Sequence, residues 1–156
     1  MGTIPDLFIQ RVSKDPDAIF AWAPTPDPED PFFLTAAGPS KPGPEGWSAA
    51  TFGESHAQVA GLASRLASLG VGRGTPVAIW AETSARWALI DLAIQCLGGI
   101  TVGIYPTLLD DAVLHQLTPS GVILALVDDE TKAQRALALM PECPALRHIF
   151  SLHPTT

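Results

Sequence analysis

The sequence predicts an α/β fold: a parallel sheet with helices on both faces, preceded by an irregular proline-rich segment. Three observations predict it. From Thr51 onward, short apolar segments alternate with longer stretches of helical periodicity, the order that builds βαβ units. Those segments, PVAIWA at 76–81, ITVGI at 100–104 and VILALV at 122–127, carry no polar alternation, as expected of strands covered on both faces. The helical stretches open on capping residues and close on glycine or proline. The expected organisation is 1–50 for an N-terminal helix, short strands and a proline-rich excursion, and 51–156 for the α/β subdomain.

Residues 3–14 are expected to form a helix, with Thr3 as N-cap and Pro5 and Asp6 in the first turn. Leu7, Phe8 and Val12 supply its apolar side. Ile19 to Trp22 is a short strand. Between Pro24 and Pro44 there are seven prolines, with Gly38 and Gly43 among them. Proline fixes φ and removes a donor, so this stretch holds neither a helix nor a central strand. A ragged edge strand is expected at Phe32–Thr35, where Phe32 and Phe33 favour burial.

Thr51-Phe52-Gly53-Glu54 is a capping box. Val59, Leu62, Ala63, Leu66 and Leu69 then repeat at helical spacing, and Gly70 stops the helix in a left-handed conformation. After strand 76–81, Thr83 or Ser84 caps a helix to about Leu97 that is apolar almost all round, which implies burial on several sides. Gly98-Gly99 ends it. Strand Ile100–Ile104 leads to a helix start at Thr107-Leu108-Leu109-Asp110. Asp110 and Asp111 face the positive end of its dipole, Val113, Leu114 and Leu117 are its apolar residues, and it is expected to end before Pro119. Strand Val122–Val127 follows. Asp128 or Asp129 caps a helix to about Met140, closed by Pro141 and Pro144, and Arg147–Leu152 is the last strand.

A chain of 156 residues fits one domain with a real core. The net charge of -7, with nine Lys and Arg and no four together, argues against a nucleic-acid binder. Cys96 and Cys143 have no metal spacing to His56, His115, His148 or His153. They are expected to be free, buried or half-buried thiols of a reducing compartment, and the histidines are expected at the surface. No basic segment followed by an apolar one opens the chain. The apolar stretch Trp87–Val102 is broken by Asp91, Gln95 and Gly98-Gly99 and is too short for a bilayer span. The expected location is cytoplasmic, with no transmembrane segment.

The glycine cluster at 70–74 follows a helix and opens a strand. A phosphate cradle does the reverse, so the cluster is expected to be a helix end and turn. In doubly wound sheets, ligands sit beyond the carboxyl ends of the strands. Those ends carry Glu82-Thr83-Ser84, Tyr105-Pro106-Thr107 and Asp128-Asp129-Glu130. The candidate substrate-side residues are therefore Tyr105, Thr107 and Glu82. None is a nucleophile beside a base, and no catalytic, cofactor-binding or metal-ligating residue is assigned. Glu82 and Asp128 form a possible carboxylate pair, but N-cap and loop roles explain them better. Tyr105 either touches a ligand or is buried with one hydrogen bond. Asp91, inside an apolar helix, requires a partner if buried, with Arg86 and Arg65 as the candidates.

Several phrases in fixed order carry a family resemblance. They are Trp47 with TFGE at 51–54, the run HAQVAGLASRLASLGVGRGTPVAIWAETSARWALIDLAIQCLGGITVGIYPTL from His56, and SGVILALVDDE at 120–130. Together they resemble the adenylate-forming superfamily, and most closely its long-chain acyl-CoA synthetases. Tyr105-Pro106-Thr107-Leu108 leans toward that branch. The chain has Thr75 where the family usually has Asp, Thr83 where it has Asn, and Gly103 where it has proline or a small apolar residue. The resemblance implies the N-terminal subdomain of the adenylate-forming fold. It implies an intact enzyme that activates a fatty acid with ATP and Mg²⁺ to an acyl-adenylate and then transfers it to CoA. The family's Ser/Thr/Gly-rich loop with a lysine, its GYG-x-TE phrase, its ribose-binding aspartate and its C-terminal lysine domain have no counterpart here. No catalytic residue carries over, no cofactor is expected for this chain alone, and the chain alone is expected to be inactive.

The expected partners are the remainder of the synthetase, or a second copy joined through exposed apolar surface around Trp87, Leu89 and Leu92 or Phe32-Phe33. Two alternatives stand beside this reading: a non-catalytic α/β interaction module derived from the same scaffold, and a flavodoxin-like or receiver-like domain. A downstream reading frame encoding the glycine-rich loop separates the first reading from the others.

Overall fold

The computed structural model describes residues 2–24, 41–42 and 45–152. The elements in chain order are α1 (Ile4–Lys14), β1 (Ile19–Pro24), β2 (Lys41–Pro42), β3 (Trp47–Thr51), α2 (Phe52–Ser68), β4 (Pro76–Trp80), α3 (Ala85–Cys96), β5 (Ile100–Ile104), α4 (Asp110–Ser120), β6 (Leu124–Val127), α5 (Glu130–Leu139), a 3-10 turn at Met140–Glu142 and β7 (His148–Ser151). The main sheet has the order β5-β4-β6-β7, and every neighbouring pair is parallel.

The central strands β4 and β6 sort their side chains by the period of two that a strand imposes. Val77, Ile79, Leu124 and Leu126 join a core with Phe8 of α1, Val59 and Leu66 of α2, and Leu89, Ile90 and Ile94 of α3. Ala78, Trp80, Ala125 and Val127 join a second core with Ile104, with Val113 and Leu117 of α4 and with Ala136 and Leu139 of α5. Helices therefore cover both faces, as the unalternating apolar strands require.

The helix boundaries follow local chemistry. Thr3 caps α1 in a reciprocal box with Asp6. Thr51 does the same for α2: its Oγ1 accepts from Glu54 N–H at 3.2 Å, and Glu54 Oε2 accepts from Thr51 N–H at 2.8 Å. Ser84, not Thr83, caps α3 through Trp87 N–H at 3.1 Å. Gly70 stands at φ 89° behind α2, as expected of a left-handed stop. The pair Gly98-Gly99 serves two needs at once. Gly98 has φ 72°, and a Cβ on Gly99 would lie 2.9 Å from Ile94 Cγ2 and 3.2 Å from the Thr75 carbonyl oxygen.

A second, antiparallel sheet has the order β1-β3-β2. The sequence reading expected β1 but not β3. Pro24 closes β1, and Pro42 lies on the edge strand β2, where a missing N–H is tolerated. The expected edge strand at Phe32–Thr35 lies outside the described residues, as does most of the proline-rich stretch.

Several expectations are corrected. Leu7 is exposed, because α1 rests on its neighbours through Phe8, whose ring meets Phe20 at 5.8 Å and Phe52 at 5.9 Å. Helix α4 does not end before Pro119 but runs to Ser120, with Gly121 left-handed behind it. In the last turn a proline removes one ladder bond while its φ stays helical, and Ser120 Oγ donates to the Gln116 carbonyl. Strand β6 begins at Leu124, not Val122. Val122 is apolar because it is core, and burial extends beyond the ladder. Asp91 accepts from Gln95 Nε2 at 2.7 Å one turn on, not from Arg86 or Arg65. Cys143 is buried but Cys96 is exposed, and both are free. Leu89 and Leu92 are core residues, and Trp87 is partly buried against the same core. No association surface runs through Leu89 and Leu92. Phe32 and Phe33 lie outside the described residues.

The contrast between two leucines tests this packing. Leu124→Ala empties a fully buried site and is expected to cost about 2–5 kcal/mol. Leu7→Ala, on the exposed side of α1, is expected to stay within about 0.5 kcal/mol of wild type. Denaturant midpoints read both, and equal costs would show that α1 is docked the other way round.

Candidate functional site

Four strands run parallel, so their carboxyl ends share one edge. Across it, in sheet order, stand Tyr105 after β5, Glu82 after β4, Asp128 after β6 and Leu152 after β7. The candidates Tyr105, Thr107 and Glu82 therefore lie on one edge, and all three are exposed. The buried reading of Tyr105 is overturned, since its side chain is 75% exposed. It follows the outermost strand, and alternation turns Ile104 into the core beside it.

Helix α3 leaves β4 toward one face and α5 leaves β6 toward the other, so the connections diverge between these two neighbours. Such a divergence opens the crevice in which doubly wound sheets bind ligands. Here Glu82 N–H crosses it and donates to Asp128 Oδ2 at 2.7 Å. Asp128 Oδ1 lies 2.7 Å from Lys132 Nζ, which also meets Asp129 Oδ2 at 2.7 Å. Glu82 and Asp128 are thus not a working carboxylate pair. Asp128 braces the loop, and the Glu82 side chain points to solvent.

Asp129 caps α5 by accepting from Lys132 N–H at 2.7 Å. The hydrogen bond from the Lys132 ammonium, and then that from its backbone, hold the Asp129 carboxyl below its ordinary pKa. Burial alone would lower the pKa of Lys132. The hydrogen bonds to Asp128 and Asp129 outweigh it and leave the ammonium above its ordinary value.

Two arginines on this edge were missed by the sequence reading as edge groups. Arg86 is buried in the first turn of α3 and donates to the Leu152 carbonyl beyond β7. A cation in a first helical turn opposes the dipole, which was a legible sign of an unusual role. Arg135 of α5 donates from Nε to Asp110 Oδ1 and from Nη2 to the Leu108 carbonyl, each at 2.7 Å. Its guanidinium lies 4.6 Å from the centre of the Trp80 ring. No local spacing signals those partners.

The glycine cluster at 70–74 lies away from this edge. It is the turn between α2 and β4, where Gly72 N–H donates to Thr75 Oγ1 at 3.1 Å and Gly74 N–H donates to the Gly98 carbonyl at 2.8 Å. Among the described residues, no group of three His, Cys, Asp or Glu side chains is arranged to hold a metal ion. His56 and His115 are exposed and His148 is half-buried, while His153 lies outside the described residues. No helix among the described residues is long and apolar enough to cross a membrane.

A parallel sheet whose connections diverge at two central strands, with a polar edge beyond their carboxyl ends, has the open-sheet α/β architecture. Within that class the assignment is specific. The family model for AMP-binding enzymes matches residues 20–155, and the chain belongs to that family. The long-chain-fatty-acid–CoA ligase FadD15 of Mycobacterium bovis is 32% identical over 106 residues, 68% of this chain and 18% of the relative. The long-chain-fatty-acid–CoA ligase heimdall of Drosophila melanogaster is 30% identical over 111 residues, 71% of this chain and 16% of the relative. The chain thus spans less than a fifth of these relatives. Its fold matches a crystal structure named as a long-chain-fatty-acid CoA ligase from Rhodopseudomonas palustris CGA009. The TM-score is 0.76 and the identity 17%, over 99% of this chain and 34% of that one. The anthranilate CoA ligase AuaEII, in complex with anthranoyl-AMP, matches with a TM-score of 0.61 and 26% identity over 65% of this chain and 19% of that one.

The Asp129 cap generates a pH prediction. A carboxyl depressed in the folded state contributes stability that is complete above the ordinary carboxylate range, near the unfolded value of 3.8. That contribution is lost as pH falls through the lower folded value. Asp129→Asn keeps the cap and removes the charge. The wild type is expected to be more stable than the variant at pH about 6, by less than about 1 kcal/mol because the side chain is half-exposed. The gap should close as pH falls below 3.8 and through the lower folded value. Thermal midpoints across this range check it, and a gap that widens in acid would contradict the assignment.

Proposed function

We propose that the chain is the N-terminal scaffold segment of a long-chain fatty acid–CoA ligase. The observation that carries the reading is the identity to FadD15 and heimdall over most of the α/β part of the chain. The intact enzyme would activate a fatty acid with ATP and Mg²⁺ to an acyl-adenylate and pass the acyl group to CoA. In that enzyme this segment forms part of the wall of the site, with Tyr105, Thr107 and Glu82 on the substrate side.

The groups of this chain do not fit ATP, Mg²⁺ and CoA by themselves. The crevice between β4 and β6 is bridged by Glu82 N–H and Asp128, and the ends of β4 and β6 present Glu82, Asp128 and Asp129. Carboxylates there repel a polyphosphate, and the ammonium of Lys132 is engaged by two of them. Among the described residues, no glycine-rich loop supplies backbone N–H groups at this edge. No step of the reaction is therefore assigned to a residue of this chain.

The partner in this reading is the remainder of the synthetase, and the location is the cytoplasm. Contact with that remainder, or with a second copy, would run over the exposed apolar groups Tyr105, Leu109, Trp22 and Trp47.

Two measurements test the proposal. The purified chain, given ATP, Mg²⁺ and a long-chain fatty acid, is expected to release no pyrophosphate above background, because the groups that stabilise the transferring charge are the largest catalytic contribution. A chimera of FadD15 that carries this segment in place of its own matched region is expected to form acyl-CoA from long-chain fatty acids. In that chimera Tyr105→Ala is expected to raise KM for the fatty acid several-fold and leave kcat within about twofold. A folded chimera without ligase activity would overturn the scaffold reading.

A further inference from the structure

The loop between β5 and α4 carries two of the three substrate-side candidates, and its own hold on the structure is the packing of Leu108 against the second core. Tyr105 and Leu109 are 75% and 78% exposed, so packing does not fix them. Leu109 is the N-cap of α4 and offers no side-chain acceptor, so the usual anchor of a helix start is missing. Among the described residues, the backbone hydrogen bond inside the loop runs from Leu108 N–H to the Tyr105 carbonyl at 3.2 Å.

The anchor comes from another element. Arg135 on α5 grips the loop at the Leu108 carbonyl and the start of α4 at Asp110, each at 2.7 Å. Its planar group lies 4.6 Å from the centre of the Trp80 ring, a favourable cation–π distance. Trp80 is fully buried at the end of β4, so the guanidinium rests on a rigid floor. Four elements meet at one side chain: the helix that carries it, the central strand beneath it, the loop it holds and the first residue of α4.

We propose that Arg135 is the positioning residue of the Tyr105–Leu109 loop and, through the loop, of Tyr105 and Thr107. Its bearing on fatty acid binding rests on the reading of this edge as the substrate side. Arginine suits the task because its fork reaches a carbonyl and a carboxylate together while its face lies on the indole. A lysine ammonium, a point charge, cannot do all three. Half-exposed ion pairs add little to global stability, so loss of the clamp frees the loop and leaves the sheet intact.

Hydrogen exchange on the 156-residue chain reads the clamp without substrate. In Arg135→Met, which keeps an apolar stem, the hydrogen-bonded amides of Leu108, Ala112 and Val113 are expected to exchange about tenfold faster or more, as for a locally opened segment. Those of 77–80 and 124–127 are expected to keep wild-type protection. Arg135→Lys is expected to recover part of the difference. Unchanged loop exchange in Arg135→Met, equal acceleration throughout the sheet, or full recovery by lysine would overturn the clamp. Should Arg135→Met fail to fold, Asp110→Asn takes its place: it weakens one grip and is expected to accelerate the loop by a smaller factor, and no acceleration overturns the proposal. In the FadD15 chimera, Arg135→Met is expected to raise KM for the fatty acid several-fold with kcat little changed, and Arg135→Lys to restore part of it. A loosened loop with unchanged KM would remove the role toward substrate and leave the clamp standing, so the two failures are distinguishable.

Discussion

The pairing of β4 with β6 is the constraint on which the rest of the structure depends. Both strands are buried on two faces, and their register sets Val77 beside Leu124 and Trp80 beside Val127. A slip of one residue would exchange every side chain between the two cores. The Phe8–Leu89–Ile94 side and the Val113–Leu117–Ala136 side would then each receive the other's complement. The pairing also sets the path of the chain. With β5 on one flank of β4 and β6 on the other, α4 must carry the chain back across the sheet. The connections therefore diverge where Glu82 meets Asp128.

At that divergence the electrostatics decide what the edge can do. Asp128 and Asp129 share one ammonium, and the backbone of Glu82 satisfies the remaining oxygen of Asp128. The β6 side sets two carboxylates against one ammonium and so keeps a net negative charge, and the carboxylate of Glu82 stands in solvent. The arrangement is a braced rim, suited to forming a wall next to other groups and unsuited to gathering phosphates.

Most of the α/β part was legible because its signals are local. Capping boxes, left-handed glycines and unalternating strands each act within a few residues, and the boundaries of α2, α3, β4 and β5 follow from them. What escaped depends on distant partners. β3, Trp47-Ser48-Ala49-Ala50-Thr51, has no run of branched residues, and its ladder to β1 crosses the proline-rich stretch. The clamp at Arg135 joins residues 25 and 27 positions apart, which no periodicity reveals. The exposure of Tyr105 and Cys96 depends on which strand is outermost and where α3 ends, and composition carries neither. Pro119 misled for a different reason: a proline in the final turn forfeits one bond without breaking the helix. Topology alone puts Tyr105, Thr107 and Glu82 at one edge, whereas the contacts that hold that edge in place are long-range and leave no local sign.

Thr51 is both the last residue of β3 and the cap of α2, so strand and helix meet with no linker between them. The neighbouring amides are tied as well: Phe52 N–H donates to the Ala18 carbonyl at 2.9 Å and Gly53 N–H to the Pro16 carbonyl at 2.8 Å. The joint has no slack. One residue inserted here would rotate α2 by about 100° about its axis, swinging Val59 and Leu66 away from the sheet. The small antiparallel sheet and the parallel one are thereby geared together. A displacement of the small sheet would therefore be passed to the parallel one through α2, with no hinge at Thr51 to absorb it.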